Sequence, residues 1–239
     1  MISVVSSPPR RWLVAISTSL FLSAIPAVAA CKVKAIFVQP PDEVPERAVL
    51  AAGQKFLDIE LPQRNFSPAV ELPPGTQVVA VLATQPAKSE MPTGAPVFKI
   101  PETWTDCILL FFHDPSNKVF PAKIIPVNAS SADFPLGHTV IFNVSSATVM
   151  AKFGEEFARV EPGKSVTVKE PRSGSGDYPI AIDCAFPGEK EPVALCRSTW
   201  QHEANARQIL FVTPQTGQKI PRVWGVLDRQ VVETKDKEN

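Results

Sequence analysis

Cysteines, histidines and acids are the residues of this chain whose spacing could support chemistry. Cys184 and Cys196 flank the turn-forming stretch Pro187-Gly188-Glu189-Lys190-Glu191-Pro192, and Lys190 is equidistant from both. Two strands joined symmetrically there would set the thiols opposite one another. A non-hydrogen-bonded antiparallel pair brings Cα atoms to about 4.5 Å, within bridging range. A Cys184–Cys196 disulfide is therefore expected, worth on the order of 3 kcal/mol over so short a loop. Two buried thiols are the alternative. His202-Glu203 lies beside Trp200, and Trp200 with His202 forms a candidate surface site. A surface His-Glu pair is far commoner than a general base. Asp177 and Asp183 are spaced like paired acids of a glycosidase, but carboxylates on neighbouring strands are usually solvated.

Two motif fragments fail on inspection. Gly163-Lys164-Ser165 matches the end of a phosphate-binding loop, but Ala158 stands where the motif needs its first glycine. The stretch Glu161-Pro162-Gly163-Lys164 is better read as a hairpin turn. Ser173-Gly174-Ser175-Gly176 lacks the first glycine of a nucleophile elbow and reads as a loop. His113, His138 and His202 do not cluster, so no zinc site is expected. No catalytic, cofactor-binding or metal-binding residue is predicted.

The first thirty residues address the chain to a compartment. Arg10-Arg11 precede an apolar run from Trp12 to Ile25, which ends in Ala27-Val28-Ala29-Ala30 and then Cys31. That is the layout of a cleavable export signal over residues 1–30. Val28-Ala29-Ala30-Cys31 also resembles the lipobox of bacterial lipoproteins, which makes Cys31 a candidate lipidation site. If Cys31 carries lipid, Cys107 is left without a partner. If it does not, Cys31 and Cys107 could bridge. An exported chain can keep disulfides. The expected location is periplasmic, lipid-anchored in the envelope, or secreted, with membrane contact only through the signal or a lipid on Cys31.

Arg10 and Arg11 are the only charges of the signal, so the remaining chain holds 22 basic and 24 acidic residues, a net of −2. There is no basic excess to hold a polyanion, and no nucleic-acid partner is expected. Proline is abundant, at 25 residues, and cuts the chain into short extended runs. Strand-like runs begin at Lys32 and recur through Phe56–Leu61, Gln77–Ala83, Cys107–Phe112, Lys123–Val127, Thr139–Val144, Lys164–Lys169, Tyr178–Phe186, Val193–Trp200, Gln208–Thr213 and Arg222–Leu227. Leu57, Ile59 and Leu61 alternate onto one face. Gln77–Ala83 and Cys107–Phe112 are almost wholly apolar, as central strands buried on both faces should be. Ala151–Val160 and Trp200–Leu210 contain helix formers and read as short helical insertions or strands.

Short strands at this spacing predict an all-β chain of two tandem immunoglobulin-like β-sandwich domains. An internal match supports the duplication. Lys34–Gln39 resembles Lys123–Asn128, and Pro74-Gly75 and Pro162-Gly163 follow at like intervals. Ile108–Phe111 leading to Phe120-Pro121 matches Ile209–Val212 leading to Ile220-Pro221. This places the first sandwich at 31–122, the second at 123–232, and a charged, disordered tail at 233–239. The stretches Gln63–Pro68, Gly176–Pro179 and Pro221–Trp224, with Cys184, Cys196, Trp200 and Arg207, resemble an uncharacterised family of exported bacterial proteins. That resemblance implies export and a β fold, and nothing catalytic.

Two function classes follow. The first is an exported noncatalytic structural or binding module of the envelope or extracellular space, with an envelope protein or a carbohydrate as partner. Exposure of Trp104, Trp200 or Trp224 would favour sugar, because a flat ring stacks on a sugar face. The second is an exported glycan-directed hydrolase, which would need His202, Asp177 and Asp183 in one cleft.

Overall fold

A computed structural model describes residues 30–40, 45–87 and 92–230. The segment expected to be an export signal, up to Ala29, and the expected tail from Glu233 lie outside the described residues. The described chain is all-β. Its first half contains β1 (Cys31–Val38), β2 (Arg47–Ala52), β3 (Lys55–Glu60), β4 (Val70–Leu72), β5 (Val78–Leu82), β6 (Val97–Lys99), β7 (Asp106–His113) and β8 (Ala122–Asn128). The second half contains β9 (Thr139–Asn143), β10 (Thr148–Phe153), β11 (Glu156–Val160), β12 (Ser165–Val168), β13 (Gly176–Ala185), β14 (Val193–His202), β15 (Ala206–Gln215) and β16 (Gln218–Arg229).

The halves repeat one topology. Sheets ordered β3-β2-β5-β6 and β4-β1-β7-β8 form the first sandwich; β11-β10-β13-β14 and β12-β9-β15-β16 form the second. In each half the first strand pairs parallel with the seventh, β1 with β7 and β9 with β15. This equivalence bears out part of the internal match, since Ile108–Phe111 and Ile209–Val212 lie on β7 and β15. The match of Lys34 with Lys123 is corrected. Lys123 lies on β8, which pairs with β7 and so completes the first sandwich. By hydrogen bonding the boundary falls between Asn128 and Thr139, after the position that the match indicated. Lys34 and Lys123 agree only as alternating apolar strands do.

Two further expectations change. Ala151–Val160 is the β10–β11 hairpin, and Trp200–Leu210 joins β14 to β15 through a turn. Helix formers yield here because Ala151, Phe153, Ala158 and Val160 reach the core only at a period of two. Glu161–Lys164 is a turn, closed by the Lys164 amide on the Glu161 carbonyl and with Gly163 at φ 70°. It is not a hairpin, because β11 and β12 belong to different sheets.

Packing makes the two sandwiches a four-layer stack. Val33, Ala35 and Phe37 of β1 face the first sandwich's core, while Ile36 and Val38 face outward. Cys107, Leu109 and Phe111 of β7 divide from Ile108 and Leu110 in the same way. On β15, Leu210 and Val212 face the second core, whereas Ile209 and Phe211 meet the outward set of the first sandwich. The two inner sheets thus bury a third apolar core between them, as expected for strands that are apolar on both faces.

One end of this middle layer is locked by charge. Lys34 Nζ lies 2.5 Å from Asp228 Oδ1, and Arg207 Nε lies 2.8 Å from Asp228 Oδ2. Arg207 also donates to the Ala129 and Phe134 carbonyls of the connecting segment, and its guanidinium lies 5.2 Å from the Phe134 ring centre.

A candidate binding cleft between the sandwiches

At the other end the inner sheets part. β1, β7 and β15 all finish there, and their ends contribute Gln39, Pro40, His113, Thr213, Pro214 and Gln215 to a cleft of about 830 Å³. Gln63 and Arg64 enter from the segment after β3, and Gln218, Arg222 and Trp224 from β16. Alternation on β16 explains the set. Trp224 and Arg222 share parity with Val226, which is buried in the middle layer, so the same face turns polar as it emerges from the stack.

Trp224 is built as a platform. Its ring centre lies 4.6 Å from that of Phe211, which in turn stacks on Phe142 at 6.0 Å. The indole N–H donates to Thr213 Oγ1 at 3.3 Å. A half-buried indole held from beneath and by its nitrogen presents a fixed apolar face beside polar groups. Gln39 adds a second sign of construction. Among the described residues it is the one non-glycine with positive φ, at 52°, and its amide donates to the Pro214 carbonyl at 2.6 Å across the two sandwiches. A non-glycine residue in this region costs about 1–3 kcal/mol and persists where its surroundings impose it.

A smaller groove of about 420 Å³ opens between the edges β14 and β16, lined by Leu195, Cys196, Trp200, Gln208, Val223 and Gly225. It shares Arg222 and Trp224 with the cleft, so the two run together around β16. Trp200 therefore lines a surface site while also packing on the second core. Trp104 packs on the first core.

The other candidates fall elsewhere. His202 is 5% exposed, and its Nδ1 and Nε2 lie 2.8 and 3.2 Å from the carbonyl oxygens of Gly174 and Gly137. It ties two loops together and turns no nitrogen to solvent. Asp183 is paired with Arg197 at 2.5 Å. Asp177 is exposed on β13, and none of His202, Asp177 and Asp183 lines the two clefts.

All four cysteines are free thiols, which corrects the expected disulfide. Cys184 pairs with Val193 and Cys196 with Ile182, because the register shifts at a bulge after Ile182. The two cysteines are diagonal neighbours rather than opposite ones, which by general strand geometry sets their Cα atoms about 7–8 Å apart, beyond easy bridging. Cys31 begins β1 opposite Leu72 and faces the first core, 7% exposed. Burial, then the charge of Asp106, pushes its thiol up to about 11. A diacylglycerol on that sulfur would have to leave the core, taking the first residues of β1 out of the sheet.

No family model matches the chain, and no curated protein matches it either.

Proposed function

We propose that this protein is an exported, noncatalytic binding module of the bacterial envelope or extracellular space, and that it takes a glycan in the cleft between its sandwiches. The observation that carries this reading is the Trp224 platform. One face of the indole rests on Phe211, while Trp224 also lines the cleft among the amides of Gln39, Gln63, Gln215 and Gln218. An aromatic plane ringed by side chains that both donate and accept hydrogen bonds suits a sugar, whose faces are apolar and whose rim is hydroxyl. Export rests on the signal layout of residues 1–30 and Cys31 as the first residue after it. The burial of Cys31 favours a released rather than a lipid-anchored protein. The scatter of His202, Asp177 and Asp183 leaves the hydrolase reading without an observation to favour it.

The test is titration of residues 31–239 with soluble envelope and extracellular polysaccharides, followed by tryptophan fluorescence and calorimetry. Trp224→Ala should weaken binding about tenfold or more. Phe157→Ser, at an exposed aromatic on β11, should leave it unchanged. No binding to any glycan, or equal binding by Trp224→Ala, would sink the proposal.

A further inference from the structure

Arginines in this protein are usually paired. Of the eight among the described residues, Arg47, Arg159, Arg197, Arg207 and Arg229 each hold a carboxylate. Arg172 donates to the Asp177 carbonyl instead. Arg64 and Arg222 hold neither a carboxylate nor a carbonyl among the described residues, and both line the cleft, one from each sandwich. His113 lines it too, and no described carboxylate does. Asp42 and Glu43, near Pro40 in sequence, lie outside the described residues. The opposite end of the same middle layer shows what the fold does with arginine when the role is structural. There Arg207 is buried on Asp228 and two carbonyls.

We infer that the cleft takes an acidic polysaccharide, with a sugar ring on Trp224 and its carboxylates held by Arg222 and Arg64. This rests on the glycan reading above and adds the chemical class. Guanidinium is the side chain suited to carboxylate, since its planar fork donates two parallel hydrogen bonds. Placing the two forks on different sandwiches sets them apart along the cleft, so successive acidic residues of a chain can be read rather than one isolated anion. The groove past Trp200, which shares Arg222 and Trp224 with the cleft, gives the polymer a path onward. The ligand class is thus a uronic-acid polymer rather than a neutral glucan.

The experiment compares polygalacturonate and alginate with dextran and polyglutamate of matched length, using wild type and the Arg64→Gln, Arg222→Gln and Trp224→Ala variants. Each variant is first checked for an unchanged thermal transition. The expected result is binding of the acidic polysaccharides only, weakened about tenfold or more by each arginine replacement and reduced by added salt. Equal binding of dextran, lost in Trp224→Ala but kept in both arginine variants, would overturn the acidic class and leave the glycan reading standing. Equal binding of polyglutamate, insensitive to Trp224→Ala, would overturn both in favour of nonspecific anion capture. No binding of any polymer would overturn both as well.

Discussion

Asn143 closes β9 with hydrogen bonds that all stay inside the protein. Its amide donates to the carbonyls of Ala147 at 2.7 Å and Val160 at 2.9 Å. Its oxygen accepts from the Ser145 amide at 3.0 Å and hydroxyl at 2.7 Å. Asn143→Ala strands several buried groups at once, so a loss of about 3 kcal/mol is expected in chemical denaturation. A loss below about 1 kcal/mol would mean that water replaces those bonds. The thiols give a second test at this scale. Cys31 stands near 11 through burial and then the charge of Asp106, and Cys107 is raised further by burial and then by its neighbour Cys31. Burial raises Cys184 and Cys196 as well. Since the thiolate is the nucleophile, iodoacetamide at pH 8 should label the folded protein slowly, with Cys196 first because it is partly exposed. Unfolding without reductant should release four alkylatable thiols. Finding only two would restore a disulfide and move the β13–β14 register. Sequence pairing pointed to that disulfide because a bulge leaves no mark in residue types. Cys184 and Cys196 look symmetric about Lys190 whether or not the ladder slips.

Strands were legible wherever alternation or a continuous apolar run marked them. β7 and β5 read as buried on both faces and are so, with Ile108 and Leu110 outside and Leu109 and Phe111 inside. β2 escaped notice because Ala48, Ala51 and Ala52 carry little strand preference, and β4 and β6 are too short to show a period. Pairing on β16 was not legible either, although it explains Gly225. Gly225 stands opposite Leu210, and a Cβ there would overlap the Leu210 side chain and approach the Ile209 carbonyl at 3.3 Å. Gly225→Val should cost about 1–3 kcal/mol by overpacking, read as a lowered thermal midpoint. The end of β16 is fixed by charge. Arg229 donates to both oxygens of Glu203 at 2.7 Å. Those bonds and that charge hold the Glu203 carboxyl below its ordinary range. Its folded pKa is the lower one, so this contribution is present above the ordinary carboxylate pKa and is lost as pH falls through the folded value. Glu203→Gln should therefore flatten the acid limb of the stability profile, by under about 1 kcal/mol for an exposed pair. A change at neutral to alkaline pH with the acid limb intact would assign the effect to packing instead.

The cleft exists because the two sandwiches are fused, and fusion was the feature least visible in the chain. Gln39, Arg64, His113 and Arg222 come from separate strand ends, so no local spacing could announce them. The one local sign was Pro221-Arg222-Val223-Trp224, where residues of alternate parity reach different faces. Fusion itself rests on the connecting segment. Phe134 is fully buried in the middle layer and lies beneath Arg207, whose side chain is 11% exposed and bound to Asp228. Removing one partner of a buried pair leaves the other charge uncompensated, a cost of about 3–5 kcal/mol. Emptying a buried phenylalanine site costs a similar amount, about 3–5 kcal/mol. Both residues act on the joint, Phe134 from outside either sandwich and Arg207 at the start of β15. The wild type should therefore unfold in one calorimetric transition, with van't Hoff and calorimetric enthalpies equal. Phe134→Ala and Arg207→Ala should each broaden or split it, releasing one sandwich before the other. Both variants should also lose affinity for any cleft ligand, because Arg64 and Arg222 would no longer be held at a fixed separation. Two transitions in the wild type, or variants that lower the midpoint with one sharp transition and unchanged binding, would mean that the sandwiches do not depend on this joint to form the cleft.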